Sequence, residues 1–488
     1  MQTNPTKSRH PSAIPPVASL RQAFKKAVCS LLAVTLLSAP AGPAAAFTVG
    51  EEKELGEKLL SLVRREFKLL DDPDITQYVN GLGREILTIA GPQFFDYHFF
   101  VINNREFNAF AAPSGLIFLH SGLIDITETE DELVSVMAHE VGHAASRHYA
   151  DRLGKSKKVS LGTAALALAG LAMGAGPLGQ ALMTGSLAAG TTMQLQFSRQ
   201  DEEEADRLAF TWMLADHRDP SEMLGMLRKM RKITRYRQGK IPPYLLTHPE
   251  PENRYSYIED RLLQEPLPKA FKPVDDFAFQ RIKYRLLTLT KEPQDLLPLL
   301  RNKAQHADIK SLEGAMVHYG LSQVYLAGRD YAKAREELGL VMQRFPDRSL
   351  LLTDLGVLYL ESGQLDQALE TLALAVKRDP DNAYALFNQA IALQQKNKAD
   401  QALAIFEQLL ATLPDFSKLH YRIGQIKTAK GNKPAGHYHL GVYHWYEGDV
   451  KTARFHLKEA MRDQPEGSQV KRQAKELLDT IDRLEKMS

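Results

Sequence analysis

Between Glu51 and Ile89 the apolar positions recur at helical spacing, with turn signals at Asp71-Asp72-Pro73 and Gly91-Pro92. The period then changes. Tyr97 to Ile102, Phe107 to Ala112 and Leu116 to His120 are aromatic and β-branched enough to read as three strands, and Pro113-Ser114-Gly115 marks the turn between the last two. Helical spacing returns from Glu128 to Arg152. The next stretch, Ser160 to Ser198, holds no charged residue and is rich in Gly and Ala. Gln200 to Ile233 reads as helix again, broken at Asp219-Pro220. The pattern predicts an α+β first domain, mostly helical, with a small sheet early in the chain.

The C-terminal third repeats. Pro346, Pro380 and Pro414 lie 34 residues apart, as do Ala334, Ala368 and Ala402, and likewise Gly356, Ala390 and Gly424. Thirty-four is the period of the tetratricopeptide (TPR) unit, a helix-turn-helix that buries its apolar face only by stacking on its neighbours. Small residues recur where helices approach closely, and proline closes each unit. Gly441, Gly448, Ala453 and Pro465 copy the internal spacings but start 17 residues after Gly424, so the array shifts phase by one helix near Pro434. The predicted layout is a domain over 47–265, a helical linker over 266–310 and an all-α TPR solenoid over 311–488.

Residues 1–46 read as a leader. A basic stretch ending at Lys25-Lys26 precedes an apolar run, Ala27 to Leu37, that is short for a membrane span, and Ala44-Ala45-Ala46 supplies a cleavage signal before Phe47. Cys29 starts the apolar run, so it is not placed as a lipoprotein cysteine. Removing the leader takes away five basic residues (Lys7, Arg9, Arg21, Lys25, Lys26) and no acidic one, which moves the formal charge from +2 to −3. A near-neutral chain of that kind argues against nucleic acid as a partner. The single cysteine leaves with the leader, so thiolates are unavailable for holding a metal.

His139-Glu140-Val141-Gly142-His143 carries the candidate chemistry. Residues four apart on a helix share a face, so two imidazoles can grip one ion while Glu140 stands beside a water as general base. Imidazole suits zinc, and a catalytic zinc needs a third protein ligand and one open position. The acidic run Asp201-Glu202-Glu203-Glu204-Ala205-Asp206 is the best source of that ligand. Spacing alone does not choose among Glu202, Glu203 and Glu204.

The chain resembles the zinc metalloprotease family of the CAAX prenyl proteases and HtpX, and within it the exported subgroup that carries TPR repeats. The likeness rests on Asn108-Ala109-Phe110-Ala111 with Pro113-Ser114-Gly115, on His139 to His143, and on Glu202-Glu203-Glu204-Ala205-Asp206. It covers about 50 to 265, and the TPR tail extends it. The resemblance implies a zincin-type fold, one Zn2+ per chain held by His139, His143 and Glu202, and Asp206 hydrogen-bonded to a ligating histidine. Ser114 departs from the family, which commonly has glycine there. Thr247-His248-Pro249-Glu250 matches a histidine-proline element of the family, giving His248 either a place as displaceable fourth ligand or a role as hydrogen-bond donor to the tetrahedral intermediate. The stretch 160–198 is read as a lid, with a membrane-contacting hairpin as the alternative. The strand Phe107 to Ala112 is positioned to pair with an extended substrate by edge addition.

The function expected from these features is a periplasmic zinc endopeptidase. The resemblance implies that its TPR domain binds unfolded or misassembled outer-membrane proteins, or the machinery that assembles them, with peripheral membrane contact as a further expectation. A TPR chaperone or scaffold with a closed, rarely active zinc site is the competing reading.

Overall fold

Thr48 opens the first helix, α1 (Val49–Glu66), by a reciprocal cap: its side chain accepts from the Glu51 N–H, and the Glu51 carboxylate accepts from the Thr48 N–H. Asp72 caps α2 (Pro73–Ala90), with proline in the first turn where its missing N–H costs nothing. The computed structural model describes residues 47–155, 160–172, 196–236, 243–249, 251–272 and 276–487. The predicted leader, and 173–195 of the predicted lid, lie outside the described residues.

The three expected strands are present as β1 (His98–Ile102), β2 (Ala109–Ala112) and β3 (Leu116–His120), in the order β1-β3-β2. β3 is central and fully buried, parallel to β1 and antiparallel to β2. The outer edge of β1 is closed. Asn80 of α2 bonds the Phe99 N–H at 3.2 Å and the Phe99 carbonyl at 3.1 Å, and the Leu70 N–H reaches the Val101 carbonyl at 2.8 Å. The turn from β2 to β3 puts Ser114 at φ 69° and Gly115 at φ 75°. Serine therefore adopts the left-handed conformation that glycine takes freely, a strain on the order of 1 kcal/mol that the turn absorbs.

α3 (Ser121–Ile126) leads to α4 (Glu130–Ala145), whose Thr129 cap accepts from the Glu132 N–H. The helix expected over Glu128 to Arg152 is two helices. Arg147 takes a left-handed φ of 52°, held by Glu52 at 2.9 Å, and α5 (His148–Lys155) sets off in a new direction. That turn brings His148 back against His143, with Nδ1 atoms 2.9 Å apart. α6 (Leu161–Ala172) lays its alanines against α1. Ser198 and Asp201 form a second reciprocal cap at α7 (Arg199–Ala215), followed by α8 (Glu222–Tyr236), α9 (Pro243–Thr247) and α10 (Pro251–Gln264). One apolar core unites the sheet with these helices, including Leu55, Phe118, Met137, Phe210 and Tyr244.

The segment expected as a linker contains α11 (Asp276–Thr290) and α12 (Pro293–His306), and it is built into the solenoid. Phe277, Tyr284, Leu296 and Leu300 share a core with Met316, Tyr319 and Leu338 of the first repeat helices, α13 (Leu312–Ala327) and α14 (Tyr331–Arg344). The array continues as α15 (Ser349–Glu361), α16 (Leu365–Arg378), α17 (Ala383–Gln395), α18 (Ala399–Thr412), α19 (Ser417–Ala429), α20 (Lys433–Tyr446), α21 (Val450–Met461) and α22 (Gln469–Lys486).

The phase shift near Pro434 now has a physical form. Helix α20 packs against both α19 and α21, so one helix closes one hairpin and opens the next. Gly436 meets α19 near Thr428, and Gly441 meets Leu457 of α21, which places a small residue at each of the two contacts. The end of α22 returns to α1, where Lys58 Nζ donates to the Leu484 carbonyl at 2.6 Å. Among the described residues no helix is long and apolar enough to cross a membrane.

Candidate metal centre

α4 and α7 cross closely enough to bring their polar faces together. The approach depends on Gly142, because a Cβ there would sit 3.1 Å from the Cα and the carbonyl oxygen of Ala205. One turn either side, α4 presents His139, Glu140 and His143, and α7 presents Glu202 and Asp206. The short helix α9 ends at Thr247 and delivers His248 from a third direction. All six residues are buried, none more than 2 % exposed.

His139, His143, Glu202 and His248 can each offer one ligand atom such that all four atoms lie within 4.8 Å of one another. His139 Nε2 is 3.0 Å from His143 Nε2 and 3.3 Å from His248 Nδ1. Glu202 Oε1 is 2.9 Å from His248 Nδ1 and 3.5 Å from His143 Nε2. Ligand atoms on a tetrahedral zinc with bonds of about 2.0–2.1 Å stand about 3.3 Å apart, within this spread. Of the three glutamates that spacing left open, Glu202 is the one at the cluster. Glu204 instead points outward, 3.5 Å from His148 Nε2, and Glu203 is exposed.

The surrounding bonds orient the cluster. His139 Nδ1 lies 2.8 Å from Asp206 Oδ1, which makes Nδ1 the proton-bearing nitrogen and leaves the Nε2 lone pair facing inward. Arg254 of α10 grips Asp206 through two bonds, Nε to Oδ2 at 2.8 Å and Nη2 to Oδ1 at 2.7 Å. Its Nη1 stands 2.9 Å from Glu202 Oε2, close enough for charge attraction but not aligned for a hydrogen bond. Aromatic rings wall the site: Phe197 stacks on His143 at 3.9 Å, and Tyr244 on His248 at 4.2 Å.

Burial pushes the His143 imidazole well below its usual range, and the neighbouring His139 and His248 push the same way. Burial by itself would raise the Glu202 carboxyl, but His248 and Arg254 overcome it and hold Glu202 well below the usual carboxylate range. Asp206 follows the same pattern, with Arg254 and His139 outweighing its burial. The site thus favours a neutral His143 beside ionised Glu202 and Asp206, the protonation states that suit a divalent cation.

At this cluster Glu140 Oε1, Glu202 Oε2, His248 Nε2 and Arg254 Nη1 are buried with no hydrogen-bond partner among the described residues. Buried polar atoms are rarely left unsatisfied, and here several occur together. The nitrogen and oxygen donors therefore fit a zinc-like ion. Glu140 also has a second tie. Its Oε2 accepts from the Ala111 N–H at 2.7 Å, on the outer edge of β2, while Oε1 faces His248 Nε2 at 3.5 Å.

Sequence reasoning did not single out Arg254, Tyr244, Phe197 or His148. An arginine has no spacing signature that would distinguish it among 61 basic residues. The turn at Arg147 is what brings His148 to His143.

A buried His-Glu-x-x-His helix joined to a carboxylate from the next long helix is the arrangement of a metallopeptidase. Comparison with known proteins agrees: the sequence pattern of Peptidase family M48 matches residues 72–262, and tetratricopeptide repeat patterns match 325–392 and 384–415. The chain therefore contains an M48 peptidase domain followed by TPR repeats. Among its curated relatives is the beta-barrel assembly-enhancing protease of Escherichia coli (strain K12), 36% identical over 219 residues that cover 44% of this chain and 45% of that protein. The protein of the same name from Yersinia pestis is 31% identical over 306 residues, 62% of each chain. The chain thus spans 45% and 62% of the length of these two relatives. The metalloprotease LoiP of Escherichia coli (strain K12) is 31% identical over 160 residues, 32% of this chain and 60% of that protein. Of solved structures, the TPR protein YrrB aligns with 37% of this chain and 91% of its own, at 21% identity and a TM-score of 0.28.

Proposed function

We propose that this chain is a zinc-dependent endopeptidase, carried by one observation: His139, His143, Glu202 and His248 are buried together and can each offer one ligand atom within 4.8 Å of the others, with Glu140 buried beside them. A zinc ion bound there would polarise the scissile carbonyl and acidify a water. The residues of the chain do the rest. Glu140 takes the proton of the attacking water on a carboxylate oxygen and passes it to the leaving amide nitrogen. Asp206 and Arg254 fix the orientation of His139 and Glu202. The β2 edge, through Ala111, offers main-chain pairing to an extended substrate.

The described conformation is a closed one on this reading. His248 stands within the donor cluster, where it would occupy the position that catalysis needs open, and Glu140 is tied to the very N–H that a substrate strand would use. The geometry favours the displaceable-ligand role of His248 over the donor role, since its ring joins the donor set. Substrate entry then requires movement of α9 and His248. The same closure favours a second reading, a TPR chaperone that seldom cuts.

The names of the curated relatives support a role in β-barrel assembly, and we place that role in the periplasm, in outer-membrane protein quality control, with unfolded or misassembled barrel proteins as clients of the TPR region. The predicted leader points the same way. The test is cleavage of an unfolded outer-membrane barrel protein by the chain from Phe47, with Glu140→Gln and His248→Ala alongside. Wild-type cutting should fall about a thousandfold in Glu140→Gln, and His248→Ala should cut faster than wild type. Equal cutting by wild type and Glu140→Gln would remove the proposal.

A further inference from the structure

The 17-residue shift at α20 copies a pair of histidines. In the hairpin of α19 and α20, His420 stands four residues before Gly424, and His439 one residue before Leu440. In the hairpin of α20 and α21, His437 stands four residues before Gly441, and His456 one residue before Leu457. Both hairpins close tightly at the glycine. A Cβ at Gly424 would meet Leu440 Cγ at 3.0 Å, and one at Gly441 would meet Leu457 Cγ at 2.8 Å. One turn away, that approach sets the two imidazoles of each pair against each other. His420 Nδ1 lies 3.1 Å from His439 Nδ1, and His437 Nδ1 lies 2.8 Å from His456 Nδ1. Helix packing does not by itself call for histidine here. The equivalent positions of the two preceding hairpins hold Leu352 with Thr371 and Leu386 with Ile405.

The two pairs are finished differently. The first is closed: His420 is buried and has a second partner in the Pro414 carbonyl. The second is open, with His437 and His456 both half-buried and within reach of solvent. Ring contacts hold both side chains of the open pair. His444 lies parallel to His456, centroids 5.4 Å apart at 5°, and Phe455 stands edge-on to His437 at 6.5 Å. Two ring nitrogens that face each other share either a proton, carried by one and accepted by the other, or an ion that takes both lone pairs. Nitrogens bound at about 2.0 Å stand about 2.8 Å apart at a right angle on the ion, and about 3.3 Å apart at the tetrahedral angle. The His437–His456 separation is the right-angle value, which belongs to a tetragonal centre.

We propose that His437 and His456 chelate one copper(II) ion through their Nδ1 atoms, with water in the remaining positions, as a second metal site separate from the His139–His143 cluster. Three arguments set the chemistry. Copper(II) stands above nickel and zinc in affinity for imidazole nitrogen, and it prefers the right-angle arrangement. Among the described residues neither ring makes an ion pair with a carboxylate, whereas calcium and magnesium call for oxygen ligands. The donors come already paired from two packed helices, so binding has little left to order. An ion there ties α20 to α21, on the helix that serves both hairpins.

The test titrates copper(II) into the chain from Phe47, read by calorimetry and by electron paramagnetic resonance. His437→Leu and His456→Ile are the variants of choice, because Leu386 and Ile405 fill the same positions two hairpins earlier. Copper that enters at His139 and His143 appears in wild type and variants alike and cancels in the difference. The wild type should bind a copper(II) ion with a tetragonal spectrum and nitrogen ligands. In either variant that affinity should fall by more than about tenfold, since loss of a ligand's outer partner alone costs about 10–100-fold. His420→Leu, at the buried pair, should leave it unchanged, and zinc(II) should bind the site more weakly than copper(II). Copper binding that is the same in wild type, His437→Leu and His456→Ile, or that is lost in His420→Leu while those two retain it, would overturn the proposal. Neither result touches the peptidase reading, which stands or falls on cleavage of unfolded protein by the wild type.

Discussion

Two buried charge clusters in this molecule are made of similar residues and are finished differently. At the seam between protease domain and repeats, fully buried Arg281 spends its donors on Asp354 and Asp74 at 2.7–2.8 Å. Asp354 takes a further bond from the Tyr319 hydroxyl, and Arg285 pairs with Asp72 and Tyr384. Donors and acceptors match, and nothing is left over. In the metal centre, Arg254 and Asp206 also pair through two bonds, but the atoms beyond them do not close: Glu140 Oε1, Glu202 Oε2 and His248 Nε2 remain without a hydrogen bond while imidazole nitrogens face each other at 3.0 and 3.3 Å. A saturated cluster is a fastening. An unsaturated one holds space for a cation.

Removing one member should tell the clusters apart. Asp354→Ala takes two bonds from the Arg281 guanidinium in a dry seam and leaves it Asp74 as its one carboxylate, which should cost on the order of 3 kcal/mol in a urea titration. Its metal content should be unchanged. A loss below about 1 kcal/mol would mean that water or another acid reaches Arg281, and that the seam is not the fastening described.

A smaller effect separates acids within the seam itself. Ser417 Oγ lies 2.5 Å from Asp71 Oδ2 and 2.6 Å from Glu447 Oε1, yet one hydroxyl proton cannot serve two carboxylates. Burial pushes the Asp71 carboxyl up to about 6. A raised carboxyl stabilises the fold fully below its unfolded value of about 3.9, and that contribution is lost as pH rises through about 6. The span of about two units corresponds to about 3 kcal/mol at most. Asp71→Asn should therefore be more stable than wild type at pH 8, with the advantage gone by pH 4, as read from urea midpoints across that range. Parallel profiles for the two proteins would show that Asp71 does not titrate in this window.

Much of this was legible in the sequence, and for local reasons. Helical spacing, strand composition and the 34-residue period are short-range patterns, so the α+β domain, its three strands and the solenoid could be read directly. The His139-Glu140-x-x-His143 pair is local as well. Glu202 could not be chosen over Glu203 and Glu204 by spacing, because the choice depends on the rotation of α7 against α4, set by the Gly142–Ala205 contact. The turn at Arg147 was hidden because a left-handed arginine, held by Glu52 far away in sequence, has no local signature. The pairing of Arg281 with Asp354, 73 residues apart, is likewise a tertiary fact. The 266–310 segment looked like a linker because its apolar face belongs to a core supplied by later repeats. The shift of 17 residues was visible, but only packing shows that α20 serves two hairpins.

Metal content of the purified wild-type chain is the most direct test of the central claim. Elemental analysis should find one zinc per chain, and Glu202→Gln should lower that stoichiometry or its resistance to a chelator. Stripping zinc from the wild type should lower its melting temperature, because a bound ion stabilises the state that holds it. A wild-type chain that carries no stoichiometric metal, and that cuts unfolded protein equally well in excess chelator, would contradict the account.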